Sequence, residues 1–433
     1  MMKILIKDAL IIPMTGEHNS SGDYWLKGDI AILNGRISGV GQVSAGEFDK
    51  VIDGSDCVVL PGFVNAHTHA AMTLFRSYAD DLPLMEWLKK KIWPIEDRLT
   101  GEDVYWGTML SILEMIKSGT TTFSDMYFFM EDAARAVEES GARAVLARGL
   151  AGVAPDGEAK LAESKAFIKN WQGKAGGRIT AMLGPHAPYT CPPQFLKKVM
   201  ELAEELDVGI HIHLAETLTE VEDMQKAYGK RPVELMHSLG LFSFPVLAAH
   251  LVHVTEEEIN ILTENKVGVA HNPQSNMKLA SGIAPVPAML RAGLPVALGT
   301  DGASSNNNLD MIEEMRAASF LHKVNTMDPT VLPAYQGLEM ATKNGAAVLG
   351  LDEEIGQIAL GKKADIILVD FHKPHLCPRH DPAAHLVYAA QPSDVKTVIV
   401  DGKIIMEDRR VLTMDEEKVM YEAARCTKRL VSG

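Results

Sequence analysis

The chain has 433 residues, a formal net charge of −15, 46% hydrophobic and 23% charged residues. At ~150 residues per domain this length allows two or three domains, or an α/β barrel of ~250 residues with a small domain appended. The composition excludes wholesale disorder, and an acidic chain without a basic run is a poor partner for nucleic acid or an anionic membrane surface. Cys57, Cys191, Cys377 and Cys426 include no C-x-x-C pair and are too few for a disulfide scaffold. No window of ~18 uninterrupted apolar residues is present. These features point to a cytoplasmic protein.

The N-terminal run MMKILIKDALIIPM is interrupted by Lys7 and Asp8 and lacks a small-residue cleavage site, so it reads as a strand and not as a signal peptide. Residues 3–60 hold short β-branched runs punctuated by Asn-Gly and Asp-Gly turns. From Pro61 the texture changes. GFVNAHTH, GTTTFSD, ARAVLARGL, RITAMLGPHAP, VGIHIHLAE, VLAAHLVH, VGVAHNP and PVALGTDG alternate with amphipathic stretches such as VYWGTMLSILEMIKSG and PPQFLKKVMELAEELD. Strands and helices alternating at this spacing predict parallel βα units, and these eight strands are the number a closed (β/α)₈ barrel needs. Near residue 360 short strands return in KKADIILVDF and DVKTVIVDGKIIMEDRR. The expected α/β architecture is a distorted barrel over residues 61–355, set into a small β-sandwich domain built from residues 1–60 and 356–433.

The polar residues that carry chemistry fall at the carboxyl ends of predicted strands, where a βα barrel places its active site. His67 and His69 are two apart and share a face in an extended strand. Alone, an H-x-H pair is weak evidence among 15 histidines. His213 ends another strand with Glu216 just beyond it, which pairs a metal ligand with a proton shuttle. His211, one layer deeper, reads as a satisfied core histidine. Asp301 in LGTDG is either a helix N-cap or a metal carboxylate. Of His250 and His253, three apart, only one can face the site; His250 directly follows its strand and is the choice, with His253 structural. Collected on four strand ends, three histidines and one aspartate with a position left for water suit a catalytic rather than a structural zinc site.

The set PGFVNAHTH, HIHLAE, AAHLVH, AHNPQSNMKLASG and LGTDG resembles the amidohydrolase superfamily. LPLMEWLKKKIWPIEDRLT and GTDGASSNNNLDM narrow the resemblance to deaminases of S-adenosylhomocysteine and 5′-methylthioadenosine. The resemblance implies one divalent metal ion, usually zinc, held by His67, His69, His213 and Asp301, and no organic cofactor. It implies hydrolytic deamination of an adenosine-type nucleoside, with Glu216 protonating the ring nitrogen, Asp301 taking the proton of water and His250 orienting the nucleophile. Substrate contacts are implied for Glu216 and Asp301, and for Glu96 on the ribose hydroxyls, His186 on the purine and Arg148 on a homocysteine carboxylate. Read from its own segment, Glu96 is a helix-surface residue. A second arginine used by the family has no counterpart in residues 151–167, which favours an uncharged thioether tail. The expected partner is a small-molecule nucleoside, and a homo-oligomer is compatible with the sequence. An amidohydrolase of another amino-bearing heterocycle (guanine, cytosine or triazine type) would keep the metal ligands and change the surroundings of Glu96. A scaffold without activity would be expected to have lost ligands.

Two segments imitate other sites. Gly356 to Lys363 nearly spells a phosphate-binding loop, but Lys363 stands where Ser or Thr is needed and a strand follows. It reads as a turn. His372, His375, Cys377, His380 and His385 have metal-ligand chemistry, but Pro374, Pro378 and Pro382 break the segment, which reads as a solvated or site-rimming loop.

Overall fold

The computed structural model describes residues 2–16, 23–44 and 46–432. The N-terminal part of the chain supplies β1 (Ile4–Ile11), β2 (Leu26–Leu33), β3 (Arg36–Gly41), β4 (Lys50–Asp53) and β5 (Cys57–Pro61). Between them and the C-terminal strands run β6 (Phe63–Thr68), β7 (Thr120–Tyr127), β8 (Arg143–Leu150), β9 (Ile179–Pro185), β10 (Ile210–Leu214), β11 (Val246–His250), β12 (Gly268–His271) and β13 (Val296–Leu298). The last strands are β14 (Ile366–Asp370), β15 (Val395–Val400), β16 (Lys403–Glu407) and β17 (Arg410–Val411).

Strands β6 to β13 form an eight-stranded parallel sheet in sequential order, each neighbour joined through a helical crossover as parallel pairing requires. These are the eight strands read from the sequence. Ile210, Ile212 and Leu214 of β10 pack toward the helices, and the alternation leaves His211 and His213 facing inward. A separate buried cluster draws Val64, Ala66, Ala147, Ala249, Ala270 and Ala297 from across the barrel. These small side chains fill the interior without blocking the mouth.

Residues just after β13 close the barrel onto β6. Asn65 exchanges two hydrogen bonds with Thr300, donating from Nδ2 to Oγ1 at 2.7 Å and accepting from the Thr300 amide at 3.0 Å. The Asp301 amide donates to the His67 carbonyl at 2.9 Å. Gly299 permits this approach, because a Cβ there would lie 2.8 Å from the His67 amide nitrogen and 2.5 Å from Asn272 Oδ1.

The other nine strands form one mixed sheet in the order β17-β16-β15-β14-β5-β1-β2-β3, with β4 also paired to β1. This sheet is the expected β-sandwich domain's framework, and it encloses its own core of Ile4, Ile6, Ile30, Ile32, Ile366 and Leu368. Left-handed Asn34-Gly35 and Asp401-Gly402 pairs make its tight hairpins, as the turn chemistry predicts. Gly361 sits in the turn entering β14, and Lys363 pairs with Asp401 at 3.1 Å, so the loop that imitates a phosphate site is a turn of this sheet. The C-terminal helix Glu416–Ser432 packs against the barrel helix Gly101–Ser118, which starts with a Thr100–Asp103 capping box. No helix among the described residues is long and apolar enough to cross a membrane.

Barrel and terminal sheet are locked by a buried ion pair. Arg143, at the start of β8, donates to both Asp365 oxygens at 2.7 and 3.0 Å, and the Asp401 amide adds a third bond at 2.7 Å. Breaking one side strands a buried charge. Asp365→Ala is therefore expected to cost ~3–5 kcal/mol in denaturant unfolding, and Arg143→Met combined with Asp365→Leu is expected to recover most of it.

Candidate active site

At the carboxyl end of the barrel, His67 and His69 from the end of β6, His213 from β10, His250 from β11 and Asp301 after β13 converge. The ligand-type atoms of His67, His69 and His213 all lie within 4.8 Å of one another, and so do those of His67, His250 and Asp301. Asp301 Oδ1 is 3.4 Å from His67 Nε2 and 3.3 Å from His69 Nε2.

The partners of the opposite ring nitrogens determine the tautomers. His69 Nδ1 donates to the Met126 carbonyl at 2.6 Å, and His213 Nδ1 donates to the His186 carbonyl at 2.7 Å. His250 Nδ1 donates to Asn276 Oδ1 at 2.9 Å. His67 Nδ1 meets His211 Nε2 at 2.8 Å, with His211 Nδ1 in turn 3.4 Å from Ser124 Oγ. In His67, His69 and His213 the Nδ1 hydrogen is spent away from the centre, so their Nε2 lone pairs face inward. His69 and His213 stand Nε2 to Nε2 at 3.2 Å with no hydrogen left to share, and the buried His67 Nε2 has no hydrogen-bond partner. Converging lone pairs beside a carboxylate are the donor set of a divalent cation, with the outward bonds orienting the rings. Burial pushes His67 down to about 4 and His213 well below its ordinary value, which keeps both rings neutral, as ligation needs.

Hydrogen bonds hold the Asp301 carboxylate in place. Ser275 and Ser305 hydroxyls donate to Oδ2 at 2.6 and 2.9 Å, and the Gly302 amide donates to Oδ1 at 2.8 Å. Ala215 (φ 52°), His250 (φ 76°) and Asp301 (φ 59°) all occupy the left-handed region, so three strand ends turn sharply at the site. Such backbone costs ~1 kcal/mol or more per residue and gathers at functional sites.

The centre lies at the base of a concave, mostly apolar cavity that opens at the barrel mouth, the kind of site that takes a small molecule. One wall comes from Leu84–Trp87 and Trp93–Glu96, two helical pieces joined by the wider π-turn Leu88–Ile92. That turn brings Trp87, Trp93 and Glu96 to the lining. Glu96 is thus not the surface residue its local sequence suggests. Tyr127 donates to its Oε1 at 2.7 Å, and burial raises its carboxyl to about 7.

Glu216 also faces the cavity, 3.9 Å from His250 Nε2, and burial raises its pKa. Burial works against charge on His250, yet Glu216 and Asp301 outweigh it and raise the imidazole. His186 lines the cavity and donates from Nδ1 to Thr190 Oγ1 at 3.0 Å, while burial lowers it to about 4. Arg148 is the exception. Its guanidinium pairs with Glu163 and is not part of the lining, whereas Lys160, paired with Asp156 at 3.0 Å, is.

His253 donates from Nε2 to the Ser281 carbonyl at 2.7 Å. The His372–His385 segment disperses: His375 binds Asp394 at 2.8 Å, and His385 donates to the Pro378 carbonyl at 2.8 Å. Residues outside the sequence reading also build the site: Asn65, Tyr127, Lys160, Ser275, Asn276 and Ser305. Of these, Asn65, Ser275, Asn276 and Ser305 fall inside the PGFVNAHTH, AHNPQSNMKLASG and GTDGASSNNNLDM motifs, whereas no motif pointed toward Tyr127 or Lys160.

Residues 58–405 match the amidohydrolase family. The chain belongs to the amidohydrolase family. Within it, the chain is 60% identical over 432 residues to the 5-methylthioadenosine/S-adenosylhomocysteine deaminase of Syntrophomonas wolfei, covering 99% of this chain and 100% of that one. Identity to the protein of the same name from Desulforudis audaxviator is 58%, over 100% of both chains. Among solved structures, a zinc-bound adenosine deaminase from Xanthomonas campestris superposes with a TM-score of 0.94 at 35% identity, over 99% of both chains. A zinc complex of atrazine chlorohydrolase from Arthrobacter aurescens has a TM-score of 0.91 at 23% identity, over 98% of this chain and all of that one, and shows the shared fold.

If the inward lone pairs hold a cation, chelation will lower the melting temperature and re-added divalent metal will restore it. At a thousandfold excess over Kd the gain is about 4 kcal/mol. The His69→Ala protein should give no such response in the same calorimetric scan.

Proposed function

We propose that this amidohydrolase is a metal-dependent hydrolytic deaminase of adenosine-type thioether nucleosides, 5′-methylthioadenosine and S-adenosylhomocysteine. The observation that carries the reading is one cavity with a histidine–aspartate centre and Glu216 at its base and Glu96 on its wall. The names of the relatives at 58–60% identity support it. So does the architecture, which we divide into a catalytic barrel over residues 61–355 and a second domain from residues 1–60 and 356–433. The four cysteines are free thiols, consistent with the cytoplasm.

In this reading His67, His69, His213 and Asp301 hold one divalent ion, zinc as in the Xanthomonas relative. Such an ion supplies a water activated for attack at neutral pH. Glu216, whose raised pKa lets it carry a proton, protonates the ring nitrogen beside the amine-bearing carbon. The water oxygen bonds to that carbon and its proton passes to Asp301. His250, anchored through Nδ1 on Asn276 and favoured in its protonated form by Glu216 and Asp301, donates Nε2–H to the oxygen of the new C–O bond and steadies the charge developing there. The hydroxyl proton passes back to Glu216, the amine takes the proton held by Asp301, and the C–N bond breaks to give ammonia and the carbonyl of the inosine-type product. His186 offers its free Nε2 as an acceptor to the purine. Glu96 accepts from the ribose diol with the oxygen that Tyr127 leaves free. Lys160 is the cation within reach of a charged tail.

The direct assay is loss of adenine-ring absorbance with zinc-loaded protein. Turnover of both thioether nucleosides is expected, and Glu216→Gln should lower kcat by roughly 10²–10⁴. Silence on every nucleoside would refute the assignment. Because Glu96 titrates at about 7, its grip on the diol should weaken as pH falls through neutrality. The kcat/KM profile should lose that acidic limb in Glu96→Gln. Lys160→Ala should cut kcat/KM for S-adenosylhomocysteine by about fivefold, the scale of a half-exposed ion pair, and spare methylthioadenosine.

A further inference from the structure

Glu220 is a buried carboxylate with no part in the chemistry just described, only 4% exposed in the first turn of the helix Leu218–Tyr228. Its position resembles a capping box. Thr217 caps the helix by accepting from the Glu220 amide at 3.2 Å. In the two threonine-capped boxes among the described residues the third-residue carboxylate reaches back to its own cap amide: Asp103 to Thr100 at 2.8 Å and Glu258 to Thr255 at 2.9 Å. Glu220 reaches further. Its two oxygens accept from the amides of Ala215 at 2.9 Å and Glu216 at 3.0 Å, both ahead of the cap.

Those amides belong to the turn that delivers Glu216 to the cavity. Ala215 is left-handed there, a conformation that an L residue holds only when its surroundings demand it. The carbonyl side of the same turn is also bound, with the His253 amide donating to the Ala215 carbonyl at 2.9 Å and the Leu251 amide donating to the Leu214 carbonyl at 3.0 Å. The backbone at Glu216 is therefore gripped from both sides. Glu220 supplies the amide side alone.

We propose that Glu220 is a positioning residue: its carboxylate fixes the left-handed turn that aims Glu216 at the substrate ring, an inference that rests on the deaminase reading. Misplacing a reacting group by ~1 Å can cost on the order of 100-fold in rate, so a turn held on one side only should show in kcat.

The test is a double-mutant cycle on the full-length zinc-loaded chain, with methylthioadenosine as substrate. Glu220→Gln is nearly isosteric but presents one acceptor oxygen and an NH₂ group to two amide donors. The expected result is a kcat lower by about 10–100-fold. KM and zinc content should stay within about twofold of the unaltered protein, and in the Glu216→Gln background the same change should alter kcat by less than about twofold. A full loss in both backgrounds, or a loss that follows zinc release, would overturn the positioning role. Should Glu220→Gln fail to fold, Glu220→Asp, shorter by one methylene, is read through the same cycle. A Glu216→Gln protein as fast as the unaltered chain would instead contradict the deaminase reading, a failure visible without Glu220.

Discussion

The arrangement that everything else in this molecule serves is a set of imidazoles whose Nδ1 hydrogens are all donated outward. Met126, His186 and His211 take the hydrogens of His69, His213 and His67 and leave Nε2 lone pairs crowded beside Asp301. Lone pairs 3.2 Å apart in a buried place repel unless a cation sits among them. The barrel is built to hold that otherwise unfavourable geometry. Small alanines fill its interior, Asn65 ties β6 to the residues after β13, and Gly299 allows the two to approach.

Strain and support are paired around this centre. Ala215, His250 and Asp301 are left-handed, and each is over-determined by neighbours: Glu220 and the His253 amide for Ala215, Asn276 for His250, and Ser275 and Ser305 for Asp301. The buried Arg143–Asp365 pair does comparable work at the other end of β8, where it fastens the barrel to the terminal sheet. Rigid scaffolding of this kind is what places reacting groups without reorganisation at the moment of reaction.

The strands were legible because their pattern is local. β-branched runs between turn residues, and apolar runs alternating with helical stretches, mark all eight barrel strands and the sheet made from both termini. The strand-end histidines and Asp301 were legible for the same reason, since the end of a parallel strand is a known place in a barrel. Residues whose environment comes from distant segments were not. Glu96 reads as helix surface because nothing nearby shows that a π-turn and Tyr127 will bury it. Arg148 lies near the end of a strand beside the cavity, yet its direction is set by Glu163, and Lys160, on the helix Gly157–Trp171, reaches the lining instead. His211 was read as a core histidine. It is buried, but it also sets the tautomer of His67, a role visible only when β6 and β10 face each other. Glu220 carries no local signal of its role, because the amides it accepts from lie ahead of the helix cap.

The account stands or falls on what the inward lone pairs bind. Elemental analysis of the purified chain, combined with zinc-edge X-ray absorption, tests it most directly. The expected result is one zinc per chain, with three imidazole nitrogens and one carboxylate oxygen among its ligands. A replete protein with two ions per chain, or with a metal bound away from these histidines, would contradict it.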